Sequence, residues 1–204
     1  REKPLQQASF FHSQHVLFEY RKKWGIMYSL ATLAGIFCVP GVLSAIASES
    51  EPIMLLSKIS ALPAISLLIA VGMYILNDLV DADLDRANGK KRPIPSGVVS
   101  RKQAWIFISW TNGAAILLSL VTFNVASMIL VAPMLAIGIL YSAPRIALAD
   151  RFIIKTLSIS LFYVLCTILG ATSAYGWDLT ISSPVTPVFV AGMLGSLIFI
   201  SSVF

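Results

Sequence analysis

The sequence predicts an all-α fold, a polytopic membrane helix bundle, on three observations. Its 204 residues are 57% hydrophobic and only 12% charged, with a mean hydropathy of +0.82, outside the usual soluble mixture. Runs without a single charge cover residues 26–47, 59–77, 103–144, 156–177 and 179–204. The cations, finally, fall on one side if the spans alternate. About 20 apolar residues cross a bilayer core, and the run 103–144 suffices for two crossings joined near Phe123-Asn124. Six spans are therefore expected.

Each element follows in order. Phe10-Phe11 and Val16-Leu17-Phe18 stand among polar residues, a pattern that suits an interfacial helix before span one rather than a cleaved leader. Pro40-Gly41 should kink span one, and Pro63 and Pro133 lie in spans two and four. Segment 78–102 is the longest polar stretch; it starts helically and should break at Gly89, Pro93, Pro95 and Gly97. Tyr141-Ser142-Ala143-Pro144-Arg145 opens a second loop after span four, on the same membrane face. Cys38 and Cys166 fall inside spans and read as small buried hydrophobes. Trp24, Trp105, Trp110 and Trp177 lie near the span ends and read as interfacial anchors.

The net charge of +5 is a statement about topology. Every Lys and Arg except Lys58 precedes span one or lies in the loops after spans two and four. By the positive-inside rule the N-terminus and the acidic segment face the cytoplasm. No separate basic face remains for nucleic acid, which is excluded as a partner.

The chemistry concentrates in Asn77-Asp78-Leu79-Val80-Asp81-Ala82-Asp83-Leu84-Asp85. On a helix, Asp78, Asp81 and Asp85 share an arc of about 60°, and Asp83 points elsewhere. Three carboxylates on one face repel unless something cationic sits between them. Such oxygen donors suit Mg²⁺, which is held by one or two carboxylates and substrate phosphates. An EF-hand loop is excluded, because its sixth and twelfth positions would be Arg86 and Arg92. His12 and His15, a lone pair three residues apart, read as surface or interfacial residues. The pattern points to a metal–diphosphate site at the mouth of a helix bundle.

These residues carry a family resemblance. Asn77-Asp78-x-x-Asp81-x-x-x-Asp85 followed by Lys91-Arg92-Pro93-Ile94-Pro95-Ser96-Gly97 resembles the UbiA intramembrane prenyltransferase superfamily. Its first aspartate-rich motif has the same spacing and is trailed by R-P-[IL]-x-[SA]-G. Tyr141-x-x-x-Arg145 is similar to the Y-x-x-x-K element of the family, with Arg for Lys. The resemblance implies a bundle of about nine spans that transfers a prenyl group from a polyprenyl diphosphate to an acceptor. Carried onto this chain, it makes Asp78, Asp81 and Asp85 catalytic Mg²⁺ ligands. Asn77, Lys91, Arg92, Tyr141 and Arg145 would contact the diphosphate.

Segment Arg92–Gly97 resembles the ether-lipid members most, so the expected acceptor is a lipid alcohol such as geranylgeranylglyceryl phosphate. An aromatic quinone precursor, a chlorophyll-type acceptor or an intramolecular terpene cyclisation are the alternatives. A transporter or a non-enzymatic membrane protein is the reading from another class. The second aspartate-rich motif of the family is not found in these residues. One domain, 1–204, cut short at its C-terminus and inactive by itself, is the expectation.

Overall fold

The computed structural model describes residues 9–37, 52–122, 125–143 and 152–175, with isolated helical positions 186, 190, 192, 194 and 195. Among the described residues six helices are delimited, which we number α1 (Phe10–Phe37), α2 (Pro52–Val80), α3 (Ala82–Ala87), α4 (Arg101–Val121), α5 (Val125–Ser142) and α6 (Phe152–Tyr175). Among the described residues there is no strand.

Segments Ser60–Val80, Arg101–Val121 and Ile154–Thr172 are long and apolar enough to cross a membrane, and Ser127–Ser142 is a shorter apolar helix. The division of the run 103–144 falls where the sequence puts it, between α4 and α5. Pro40-Gly41, Cys38, Trp177 and the last expected span lie outside the described helices.

Helix α1 differs from expectation. The interfacial segment and the first half of span one form one continuous 28-residue helix. No proline interrupts residues 10–37, and Leu17 is fully buried. The N-terminal turns therefore run without a break into span one and pack one face, through Ser13 and Leu17, on protein. Trp110 Nε1 donates to Gln14 Oε1 at 3.0 Å, and Gln14 Nε2 to the Gln103 carbonyl at 3.2 Å, tying this end to α4.

Helix α2 is central and packs against α1, α4, α5 and α6. Lipid is as apolar as leucine, so close backbone approach and interhelical hydrogen bonds must supply much of the cohesion. Both are present. A Cβ at Gly35 would overlap the Thr167 carbonyl, and one at Gly170 the Thr32 carbonyl, so α1 and α6 meet backbone to backbone. Thr32 Oγ1 and Ser66 Oγ lie 2.6 Å apart, and Ser29 Oγ donates to the Pro63 carbonyl at 2.8 Å, joining α1 to α2. Such bonds contribute about 0.6 kcal/mol each in a bilayer. Cys166 is fully buried, as expected.

A second cluster sits at the polar end of α2. Leu17, Val71, Ile75, Leu79 and Ala82 pack with Ile94, Val99, Ala104, Phe107 and Ile108. Ile94 and Val99 thereby pin the 88–100 loop beneath α2. Its turns close at Gly89 (φ 67°) and Gly97 (φ 80°), left-handed conformations that only glycine adopts cheaply. Ser100 then caps α4 in a box with Gln103, each side chain bonded to the other's backbone N–H.

Candidate functional site

The acidic segment keeps its helical register through the end of α2. Asp81 N–H donates to the Asn77 carbonyl at 2.9 Å and Asp85 N–H to the Asp81 carbonyl at 2.8 Å. This near-continuous winding keeps Asp78 and Asp85 on one face, two turns apart. Both are buried, at 2% and 1% exposure. Asp83 points away and is exposed, as the helical geometry requires.

Two buried carboxylates need positive partners or their desolvation is prohibitive. The chain supplies three. Arg21 of α1 grips Asp78 with both arms of its fork: Nε donates to Oδ2 at 2.6 Å, and Nη2 to Oδ1. Arg92 Nη1 lies 2.8 Å from Asp78 Oδ1 and 2.7 Å from Asp85 Oδ2, bridging the two acids. Lys90 Nζ stands 2.8 Å from Asp85 Oδ1. Burial disfavours the Arg21 cation, but the bond to Asp78 and its charge outweigh that, and the Arg21 pKa is raised. Asp81, half-buried, accepts from Asn77 Nδ2 at 3.1 Å.

The expected trio does not converge on a shared point. Among the described residues no three His, Cys, Asp or Glu side chains form a group able to hold a metal ion. The cation that the sequence requires between the carboxylates is, in this structure, a pair of guanidiniums. As a donor set the acids still fit Mg²⁺: they are hard oxygens on one helical face, and Asn77 adds an amide oxygen beside them. Arg21 and Arg92 hold the oxygens an ion would use.

Beside this cluster lies a cavity of about 270 Å³. Helix α1 gives it Arg21, Trp24 and Tyr28, three residues on one helical face, together with Met27. Helix α2 adds Tyr74 and Asn77, α5 adds Tyr141, and the loop adds Arg92. From α6 come Lys155, Ile159 and Tyr163, again a single stripe. The aromatic side chains stack on one another, with Trp24–Tyr74 centroids at 5.6 Å and Tyr28–Tyr74 at 6.4 Å. Tyr28 meets Phe162 edge-on at 4.9 Å. The Arg21 guanidinium sits 5.6 Å from the Tyr74 ring centre. The wall is thus cationic at the α2 mouth and aromatic along its flanks. The acids stand behind the arginines and do not form part of it.

Of the residues singled out in the sequence, Asp78, Asp85 and Arg92 come together in one ion-paired cluster, with Asn77 and Asp81 adjoining. Tyr141 is buried and borders the cavity. Lys91 is exposed and makes no ion pair among the described residues. Arg145 lies outside the described residues.

In the sequence Arg21 reads as a topology cation, Lys155 as a cation that topology explains as well as reach to the cytoplasmic site does, and Trp24 as an interfacial anchor; all three border the cavity. Tyr28, Tyr74 and Tyr163 drew no notice. The missed signal was facial: Arg21-Trp24-Tyr28 and Lys155-Ile159-Tyr163 each trace one side of a helix.

Comparison with known proteins agrees with this architecture. A digeranylgeranylglyceryl phosphate synthase of Saccharolobus solfataricus is 32% identical over 100 residues, covering 47% of this chain and 35% of that protein. The match thus spans about a third of the relative's length. No solved structure gives a significant match. The model of the UbiA prenyltransferase family matches residues 27–203, nearly the whole chain, and the protein, an all-helical membrane protein, belongs to that family.

Proposed function

We propose that the cavity binds a polyprenyl diphosphate, with Mg²⁺, and that the full-length protein transfers the prenyl group to a lipid acceptor such as geranylgeranylglyceryl phosphate. The observation that carries this reading is the cavity wall, where Arg21 and Arg92, tethered by buried Asp78 and Asp85, meet a lining of Trp24, Tyr28, Tyr74, Tyr141 and Tyr163. The similarity to a synthase named for a digeranylgeranylglyceryl phosphate supports the lipid acceptor.

The chemistry asks for two things. Breaking the allylic C–O bond concentrates negative charge on the diphosphate, which leaves with the bonding pair, and leaves cationic charge on the prenyl carbon. The acceptor hydroxyl oxygen then forms the new C–O bond and gives up its proton to the departed diphosphate. Arg21 and Arg92 face the cavity with fixed forks, so they can take the developing phosphate charge without reorganising. Asp78 and Asp85 position them. Tyrosine and tryptophan faces attract cations at close range and exclude water that would quench the prenyl cation.

Asp78, Asp81 and Asp85, with Asn77 beside them, would hold Mg²⁺ once Arg21 and Arg92 release the carboxylate oxygens that they bind here. Bound there, the ion would supply Lewis-acid stabilisation of the leaving diphosphate. The positive-inside pattern supports a cytoplasmic mouth for the cavity. The test is product formation: membranes carrying the full-length protein are incubated with geranylgeranyl diphosphate, Mg²⁺ and the acceptor. A Mg²⁺-dependent diprenylated lipid, abolished by EDTA and by Asp78→Ala, is expected. No product with any lipid acceptor would refute the lipid reading, and a prenylated aromatic product would replace it.

A further inference from the structure

Lys155 is the one cavity cation for which the described structure provides no carboxylate. Arg21 and Arg92 are held by Asp78 and Asp85, and Lys90 by Asp85. On the outer face Arg86 and Arg101 pair with Asp83, and Lys22 with Glu19. No acid among the described residues pairs with Lys155, and no described side chain accepts a hydrogen bond from it. Lys155 is exposed, so its charge is not itself costly; what sets it apart is that it borders the cavity with its three donors uncommitted among the described residues.

Snorkelling toward lipid headgroups would be the bland explanation, but the placement argues against it. Lys155 shares its helical stripe with Ile159 and Tyr163, and all three border the cavity. The lipid-facing positions of the same helix are Leu157 and Leu161, 53% and 49% exposed. The Lys155 chain therefore extends along the chamber wall, toward the space that Arg21 and Arg92 also face. Its ammonium differs from theirs in kind. Their forks are fixed by carboxylates, whereas Lys155 is a mobile point charge with three donors, suited to a phosphate whose position varies.

We propose that Lys155 receives a phosphate group of a substrate in this cavity; the inference rests on the prenyl-transfer reading above. Two substrates of that reaction carry the same chemistry: the diphosphate of the donor, and the phosphate monoester of an acidic lipid acceptor. In the second case Lys155 sets acceptor specificity by charge, preferring a phosphorylated lipid alcohol to its uncharged counterpart.

The experiment compares wild type, Lys155→Met and Lys155→Arg in the full-length protein, reconstituted in nanodiscs. Because Lys155 is exposed, neither substitution disturbs a packed core. Binding of geranylgeranyl diphosphate is measured with Mg²⁺, and KM is measured for geranylgeranylglyceryl phosphate and for its dephosphorylated alcohol. Loss of a charge-assisted hydrogen bond weakens binding about ten- to hundredfold.

A donor dissociation constant raised by that factor in Lys155→Met, with unchanged acceptor KM, assigns Lys155 to the diphosphate. A raised KM for the phosphorylated acceptor alone, with its advantage over the alcohol erased, assigns it to the acceptor headgroup. In either case Lys155→Arg restores most of the affinity. Wild-type binding of the donor with no change for either substrate in Lys155→Met overturns the inference and leaves the wider reading intact. Failure of wild type to bind the donor instead overturns that wider reading.

Discussion

One nine-residue stretch, 77–85, carries two ion-pair clusters that differ in almost everything except charge. On its inner face, Asp78 and Asp85 are buried and bound by Arg21, Arg92 and Lys90 at hydrogen-bonding distances. On its outer face, Asp83 is 73% exposed, with Arg101 at 2.7 Å and Arg86 at 3.8 Å. The outer pairs lie in water, where salt screens them and each contributes about 0–1 kcal/mol. The inner pairs are desolvated, so each charge depends on its partner. Burial, not the number of acids, separates a solvated helix end from a desolvated ion-pair cluster.

The sharpest way to break the comparison is to remove an inner acid. Asp78→Ala leaves Arg21 and Arg92 short of their shared counter-charge. It should cost about 3–5 kcal/mol of stability, read as a lowered melting temperature in detergent. Melting unchanged from wild type would mean the inner cluster is as solvated as the outer one.

Next in size is Arg92→Gln, which severs the bridge between Asp78 and Asp85 and removes a cavity cation. Prenyl diphosphate affinity should fall about tenfold or more, the scale of one charge-assisted bond, in an equilibrium binding assay. Gly97→Ala acts indirectly. Forcing a Cβ into a left-handed turn costs about 1–2 kcal/mol and loosens the loop that carries Arg92. A modest loss of stability with a smaller loss of affinity is expected by melting and binding together. Smallest is Asp83→Asn, whose effect on stability should stay within about 0.5 kcal/mol, with prenyl transfer unchanged. A large loss there would erase the distinction between the faces.

Much of this distinction could be read in the sequence. The 3.6-residue period puts Asp78 and Asp85 together and sends Asp83 away, and the helical bonds through Asp81 preserve that phase. Repulsion among the acids demanded a cation between them. Arg92, which bridges Asp78 and Asp85, stands in the sequence motif itself, but the second guanidinium was not legible, because Arg21 lies 57 residues before Asp78 and only the packing of α1 on α2 brings them together. Gly25 permits that approach, since a Cβ there would lie 2.6 Å from Val71 Cγ2. Lys155 stays undecided between topology and the site for the same reason: hydropathy assigns a charge to a side of the membrane, whereas its neighbours depend on which helix faces which. That the interfacial segment and span one form a single helix was also not legible. The polar residues of 12–23 conceal a continuous stripe containing Ser13 and Leu17, both fully buried.

The most direct test of the account is equilibrium binding of an unreactive thio-diphosphate analogue of the prenyl donor, with Mg²⁺, to full-length wild type, Asp78→Ala and Asp83→Asn. Saturable binding to wild type and Asp83→Asn, lost in Asp78→Ala, is the predicted result. Equal binding to all three proteins would contradict it, because the buried cluster would then have no part in holding the diphosphate.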